Sequence, residues 1–102
     1  MNEKKIISLL GIAKKAGKTV SGTDMTVEGI RGKKNAVRLV LLAADASENT
    51  VKKITDKSSY YDVPLIRMEC GKSELGRVTG SISEISVIGI TDEGFAAAMQ
   101  KA

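Results

Sequence analysis

The sequence has no histidine and a single cysteine, Cys70. The lack of imidazole excludes every catalytic scheme that needs histidine, and one thiol excludes an internal disulfide and zinc sites built from cysteine and histidine. Carboxylates and lysines can still act as acids or bases, so these absences argue against an enzyme without forbidding one. We expect no catalytic residues, no metal and no cofactor. Because nothing near Cys70 signals an activated thiolate, we interpret it as a structural or incidental thiol.

Long apolar runs are also missing. None approaches the roughly 18 residues that a membrane span needs, and the start of the chain shows no signal-peptide cleavage pattern. We therefore expect a cytoplasmic protein that makes no membrane contact. With 102 residues, of which 42% are hydrophobic and 27% charged, the chain has the length and composition of one globular domain over residues 1–102.

Positive charge is concentrated in the first third of the chain. Residues 1–38 hold nine Lys and Arg against three Asp and Glu, a net charge of +6, whereas residues 39–102 hold seven against nine, a net charge of −2. If any part of the chain faces a polyanion, it is therefore this first third. Lysines that keep exposed helix faces soluble would give the same asymmetry, so charge alone leaves both interpretations open.

Apolar spacing predicts the elements of this basic region. Residues 3–16 have apolar side chains at helical spacing, and Gly17 is a natural stop for that helix. Residues 19–21 are predicted to be extended, and a second helix is predicted to begin at Thr23 and to end near Gly32. The residues of this helix that we expect to face inward are Met25, Gly29 and Ile30.

The rest of the chain continues the alternation of helices and strands. The nearly continuous apolar run of residues 36–44 predicts a central strand that is buried on both faces. The elements predicted after it are a helix over 48–61, a strand over 63–68, a short helix over 73–78, a strand over 85–90 and a final helix capped by Asp92. This alternation predicts an α/β fold of three layers, an α-β-α sandwich around a sheet of about four strands.

Two motifs with possible enzymatic chemistry are weak. Residues 11–19 resemble a phosphate-binding P-loop, but five residues separate the glycines where that motif has four, and a helix precedes the segment instead of a strand. Asp45 follows the central strand, where α/β enzymes often place a carboxylate, yet it lacks a partner and turn formation explains it better. A nucleotide-dependent enzyme is thus a remote alternative. Tyr60 and Tyr61 are better explained as core and rim of a helix end than as base-stacking residues.

The segment from Gly22 to Thr26 is more informative. It combines a glycine, small polar side chains and a helix N-terminus, whose unpaired N–H groups can meet a phosphate or a base edge. Ordinary helix capping explains the same residues, so the physical argument leaves both open. The basic residues in the flanking elements are Lys14, Lys15, Lys18, Arg31, Lys33, Lys34 and Arg38.

Several motifs together resemble the L7Ae/L30e family of kink-turn-binding ribosomal proteins, and in particular its bacterial YlxQ-type branch. The resemblance spans nearly the whole chain. The family motifs are Gly22-Thr23-x-x-Thr26, the apolar segment 39–43 with Asp45 behind it, and Leu75-Gly76 followed by Gly80. The motifs of the bacterial branch are Asp45-Ala46-Ser47, Asn49-Thr50, Asp56-Lys57, Tyr60-Tyr61 with Val63-Pro64, and Thr91-Asp92 with Gly94-Phe95-Ala96.

The resemblance implies an α-β-α sandwich that binds RNA where a duplex bends sharply beside tandem sheared G·A pairs, without a cofactor. The N-terminal end of the second helix then enters the widened groove, and an apolar side chain of the loop after the Leu-Gly helix packs on an extruded nucleotide. Such contacts are typical of RNA-binding proteins, which recognise the shape of the RNA and its unstacked bases. The residues implied or expected to contact RNA are Gly22, Thr23, Asp24, Met25, Thr26, Arg31, Lys33, Lys18, Ser81 and Ile82.

The chain departs from the family pattern on the second helix. The strongest RNA binders of the family carry Asn-Glu and then Lys where this chain has Asp24, Met25 and Glu28. We predict a non-enzymatic, monomeric protein that recognises structured, kink-turn-like RNA, associates with ribosomes or translation and takes no small-molecule substrate. The alternative, favoured by Glu28, is a protein-interaction module of the same fold with weak RNA affinity. We also expect Gly22→Val to weaken RNA binding with little loss of folding, since its side chain would block close approach.

Overall fold

The computed structural model describes residues 1–32 and 36–102. Within these ranges helices and strands alternate as the sequence predicts. The elements are α1 (Glu3–Lys15), β1 (Thr19–Ser21), α2 (Thr23–Ile30), β2 (Leu39–Leu42), α3 (Glu48–Tyr60), β3 (Leu65–Arg67), α4 (Lys72–Val78), β4 (Val87–Ile90) and α5 (Glu93–Lys101). The strands form one mixed sheet in the order β1-β4-β2-β3. In this sheet β2 and β3 are parallel, and β4 is antiparallel to both β1 and β2.

Side chains that precede the helices fix where α1, α3 and α5 begin. Asn2, Ser47 and Asp92 each accept a hydrogen bond from the backbone N–H three residues further on. Such a cap satisfies one of the amides that a helix N-terminus leaves without an internal partner. The predicted cap at Asp92 is confirmed, with 2.9 Å between its Oδ2 and the backbone nitrogen of Phe95.

Helices pack on both faces of the sheet. Alternate residues of β2 point to opposite faces, so Leu39 and Leu41 join one core while Val40 and Leu42 join the other. The first core also holds apolar side chains of α1, α4 and α5, and the second holds those of α2 and α3. All four residues of β2 are buried, as expected for a strand covered on both faces. The predicted α-β-α sandwich is confirmed.

The orientation of α2 differs from the prediction. Met25 is 52% exposed, whereas Thr26 is fully buried on the inward face together with Val27, Gly29 and Ile30. The inward face packs on β4 beside Gly89, where an added Cβ atom would lie 2.6 Å from Cγ2 of Val37. It would also lie 3.3 Å from Cγ2 of Thr26, so the missing side chain lets α2 approach the sheet at that residue. The expectation that Met25 faces inward was wrong.

Glu3 ties the start of α1 to the segment after β3. Its two carboxylate oxygens accept hydrogen bonds from the backbone nitrogens of Glu69 and Cys70, each at 2.8 Å. Partial burial, with the nearby Glu3 carboxylate, raises the pKa of the Cys70 thiol to about 11. A raised pKa disfavours the thiolate, which is the reactive form of cysteine.

Alkylation of Cys70 by iodoacetamide is expected to be slow in the folded protein at pH 8. Each unit by which the pKa rises lowers the thiolate fraction about tenfold, so the folded chain should react roughly a hundredfold more slowly than the urea-unfolded chain. The measurement is the rate of mass increase at one pH with and without urea, using a cysteine-containing peptide to correct for the effect of urea. Equal corrected rates would contradict the raised pKa.

Candidate nucleic-acid interface

Helix α2 begins differently from α1, α3 and α5. Its N-cap is Gly22, which has no side chain to accept from the first amides of the helix. The backbone nitrogen of Gly22 donates to the carbonyl oxygen of Val87 at 2.9 Å and thereby fixes the helix start against β4. Gly22 has φ +93° and ψ 159°, a conformation essentially restricted to glycine. A side chain there strains the backbone, so the expectation that Gly22→Val folds with little loss was wrong.

The loop between α4 and β4 lies at the same sheet edge as the start of α2. Two backbone hydrogen bonds hold the end of this loop. The nitrogen of Ala43, just after β2, donates to the carbonyl oxygen of Ser86 at 2.8 Å, and the nitrogen of Gly22 donates to that of Val87. Within this loop the side chain of Ile82 is fully exposed. The structure therefore brings the end of the loop that carries Ser81 and Ile82 to the edge where α2 begins, although about 60 residues of sequence separate Ile82 from Gly22.

Close packing on α4 holds this loop in place. A Cβ atom added to Gly76 would lie 2.5 Å from the backbone oxygen of Ser83, so the loop rests directly on the helix backbone. The backbone nitrogen of Ser81 donates to the carbonyl oxygen of Gly76 at 2.8 Å, and the Ser81 hydroxyl accepts from the backbone nitrogen of Ser83 at 3.0 Å. These contacts leave the exposed Ile82 side chain on an anchored turn.

Two other predicted site residues, Lys18 and Arg31, lie away from this edge. Lys18 precedes β1 and its carbonyl oxygen accepts from Thr91, so it lies at the opposite end of that strand, about 10 Å away. Arg31 follows the far end of α2, about 12 Å from Thr23. Thr26 lies on the helix but faces the sheet and is buried. Lys33 lies outside the described residues.

The exposed side of α2 carries negative charge. Asp24 and Glu28 are both exposed, four residues apart, where like charges repel. A lysine that the sequence analysis missed partly offsets them: Nζ of Lys53, on α3, lies 3.5 Å from Oδ1 of Asp24. In the sequence, the only feature that could have pointed to Lys53 is its position next to Ile54, an apolar residue on the inward side of α3. The position of Lys53 against α2 depends on how the two helices pack.

The weaker candidates have structural roles. Asp45 accepts a hydrogen bond from the backbone nitrogen of Lys72 at 2.8 Å, which supports its interpretation as a turn and capping residue. Tyr60 and Tyr61 form an edge-to-face pair with ring centroids 4.9 Å apart, and Tyr60 is 79% exposed, so the pair belongs to the rim of the fold. It lies at the end of α3 remote from the start of α2. Gly17 has φ +73° and forms the turn after α1.

No cluster of three or more His, Cys, Asp or Glu side chains in the described ranges is placed to hold a metal ion. Nor does any helix in the part of the chain that the structure describes have the length and apolarity to cross a membrane. The described residues thus form an α/β protein of the α-β-α sandwich class, with an uncapped helix start and an anchored apolar loop. The chain belongs to the ribosomal protein L7Ae/L30e/S12e/Gadd45 family, whose model matches residues 4–100. The resemblance found in the sequence is confirmed.

Relatives of the bacterial branch match over most of their length. The RNA-binding protein YlxQ of Bacillus subtilis (strain 168) is 47% identical over 88 residues, which are 86% of this chain and 84% of that protein. The RNA-binding protein YlxQ of Enterococcus faecium is 42% identical over 95 residues, 93% of this chain and 87% of that protein.

Solved structures share the fold. A Bacillus halodurans C protein described as of unknown function matches with a TM-score of 0.86 and 34% identity, over 95% of this chain and 94% of that one. The Giardia lamblia 15.5kD RNA binding protein matches with a TM-score of 0.80 and 20% identity, over 97% of this chain and 82% of that one. At 20% identity, the match to the Giardia lamblia protein shows a shared fold.

Proposed function

We propose that this chain is a non-enzymatic protein that binds structured RNA, and that its target is a sharply bent, kink-turn-like duplex. The observation that carries the proposal is the uncapped start of α2 beside the exposed Ile82 loop at one sheet edge. The open amides at the helix start can donate to phosphate oxygens or base edges. The names of the bacterial relatives, both RNA-binding proteins, support RNA as the partner.

The proposal gives the site residues different roles. Gly22, Thr23, Asp24 and Met25 approach the RNA groove with the start of α2, and Ser81 and Ile82 meet an unstacked nucleotide. Arg31, Lys18 and Lys33 hold phosphates around this centre. Thr26, which is buried against the sheet, positions the helix instead of touching RNA.

The cellular setting is part of the same proposal. The family name includes ribosomal proteins, which supports association with ribosomes or translation in the cytoplasm. We further propose that the chain acts as a monomer, with ribosomal RNA among its possible targets.

A second candidate is a protein-interaction module of the same fold. The exposed carboxylates of Asp24 and Glu28 favour it, because an acidic helix face repels phosphate. Such a module would bind bent and straight RNA equally weakly.

A pair of glycine variants tests whether the start of α2 contacts RNA. Gly22 has φ +93° and Gly32, beyond the other end of α2, has φ +74°, and a Cβ atom at either position would meet no atom within 4 Å. Alanine at either position strains the backbone, at a folding cost of about 1–3 kcal/mol. Only Gly22→Ala is expected to lower the affinity for kink-turn RNA, by about tenfold or 1.4 kcal/mol, because its methyl group stands where the RNA approaches the helix amides. Thermal unfolding and fluorescence titration of both variants provide the check, and equal affinities would place the site elsewhere.

A further inference from the structure

A groove runs between the second half of α1 and the end of α4. Its volume is about 570 Å³, within the range of about 300–1,000 Å³ typical of ligand sites. The side chains and backbone that matter for the argument are those of Gly11, Ile12, Lys14, Lys15, Val78 and Gly80. The groove is mainly apolar, with two lysines on its α1 side, and none of the described residues that line it is acidic.

Two residues of this groove have no evident role in folding. Gly11 lies in the interior of α1, where glycine destabilises a helix relative to alanine. Packing does not require it, because a Cβ atom there would meet nothing within 4 Å. The neighbouring Ile12 is 55% exposed, although the same helix buries Ile6, Leu10 and Ala13 completely. A small residue and an exposed apolar side chain therefore form one open, apolar surface.

The groove is continuous with the interface already described. Gly80, at its rim, is followed by Ser81 and Ile82 of the exposed loop. On its other side α1 leads through residues 16–18 into β1, whose last residue, Ser21, precedes the start of α2 by two residues. The groove thus adjoins the exposed loop of the proposed RNA surface, and β1 connects it to the start of α2.

Charge indicates which kind of ligand fits. The exposed side of α2 carries Asp24 and Glu28, so RNA phosphates near this edge need positive charge from elsewhere. Lys14 and Lys15 are exposed in the last turn of α1 and offer positive charge along the groove. An apolar surface flanked by lysines suits an unstacked nucleotide, because its base can pack on aliphatic side chains while its phosphates meet cations.

We infer that this groove binds an unstacked nucleotide of the RNA held at α2. Its base packs against Ile12 and Val78 over Gly11, and Lys14 and Lys15 contact the adjoining phosphates. The inference rests on the proposed function and adds a second contact region, on α1, to it.

Gly11→Gln tests the base contact. A Cβ atom at this position meets no atom within 4 Å, and glutamine is a better helix former than glycine, so we expect the variant to fold at least as well as the unmodified protein and its side chain to occupy the groove. Fluorescein-labelled kink-turn RNA should bind it about five- to tenfold more weakly, the loss typical of one unstacked base. The matched control is Gly11→Ala, which also favours the helix but adds one methyl group and should bind nearly as tightly as the unmodified protein.

Lys14→Gln combined with Lys15→Gln tests the phosphate contacts. Each phosphate contact contributes about 0.7–0.9 to the slope of log affinity against log salt. The double variant should therefore flatten the slope by about 1.5. Lys101→Gln, an exposed lysine at the end of α5 that does not line the groove, should leave the slope nearly unchanged.

The outcomes separate this inference from the proposed function. Weaker binding by Gly11→Gln, with a flatter slope for the lysine pair, supports the groove. If both groove variants bind like the unmodified protein while Gly22→Ala binds weakly, the groove is not an RNA site and the α2 interface stands. If the unmodified protein does not distinguish kink-turn RNA from a straight duplex, the proposed function and the groove both fail.

Discussion

Gly76→Ala is expected to lower both the stability of the protein and its affinity for RNA. The added Cβ would lie 2.5 Å from the backbone oxygen of Ser83, a separation that real structures do not allow, so α4 and the loop must move apart. Forcing an extra carbon into a close contact of this kind costs about 1–3 kcal/mol. Because the same loop carries the exposed Ile82, its displacement moves an apolar contact away from the RNA, and binding should weaken about tenfold or more.

The control for Gly76→Ala is a destabilised variant far from the loop. Ile90→Val removes one buried methylene at the other end of β4 and is expected to cost about 0.5–1.5 kcal/mol. Urea unfolding gives the stability of each variant, and fluorescence titration under conditions where both stay folded gives the affinity. If Gly76→Ala binds RNA like Ile90→Val, the position of the loop does not contribute to the interface.

Glu28→Lys is expected to strengthen RNA binding. Glu28 is exposed on the same side of α2 as Asp24, and reversal of its charge removes repulsion of phosphate and adds a cation. We expect a gain of about tenfold at low salt, equivalent to about 1.4 kcal/mol. The slope of log affinity against log salt should steepen by about 0.7–0.9 if the new lysine meets a phosphate. Folding should not suffer, because Asp followed four residues later by Lys is a favourable helix pair.

Glu69→Lys is the matched control for this gain. Glu69 is exposed after β3 and its side chain takes no part in the proposed site, yet the substitution changes the net charge by the same amount. Fluorescence titration of both variants at several salt concentrations distinguishes a local effect from a general one. Equal gains in affinity would mean that RNA binding depends on net charge alone, and that α2 is not the centre of the interface.

The secondary structure followed from local patterns. Apolar spacing identified α1, the buried run predicted β2, and Ser47 and Asp92 marked the starts of α3 and α5. Each of these signals lies within a few residues of the element that it defines, and local hydrogen bonds or burial enforce it.

The arrangement of the candidate site did not follow from the same patterns. The start of α2 and the loop around Ile82 share an edge because β4, the last strand in sequence, lies between β1 and β2 in the sheet. Alternation of helices and strands does not specify that order. The burial of Thr26 and the exposure of Met25 likewise depend on how α2 packs against β4, where Gly89 leaves room for the Thr26 side chain.

Titration of the unmodified protein with kink-turn RNA and with a straight duplex of equal length tests the proposed interface most directly. We predict that the kink-turn RNA binds at least about tenfold more tightly, because only a bent duplex meets the start of α2 and the Ile82 loop together. The affinity should also fall steeply as salt is raised. Equal, weak binding of both RNAs would contradict the kink-turn interface and favour the protein-interaction module.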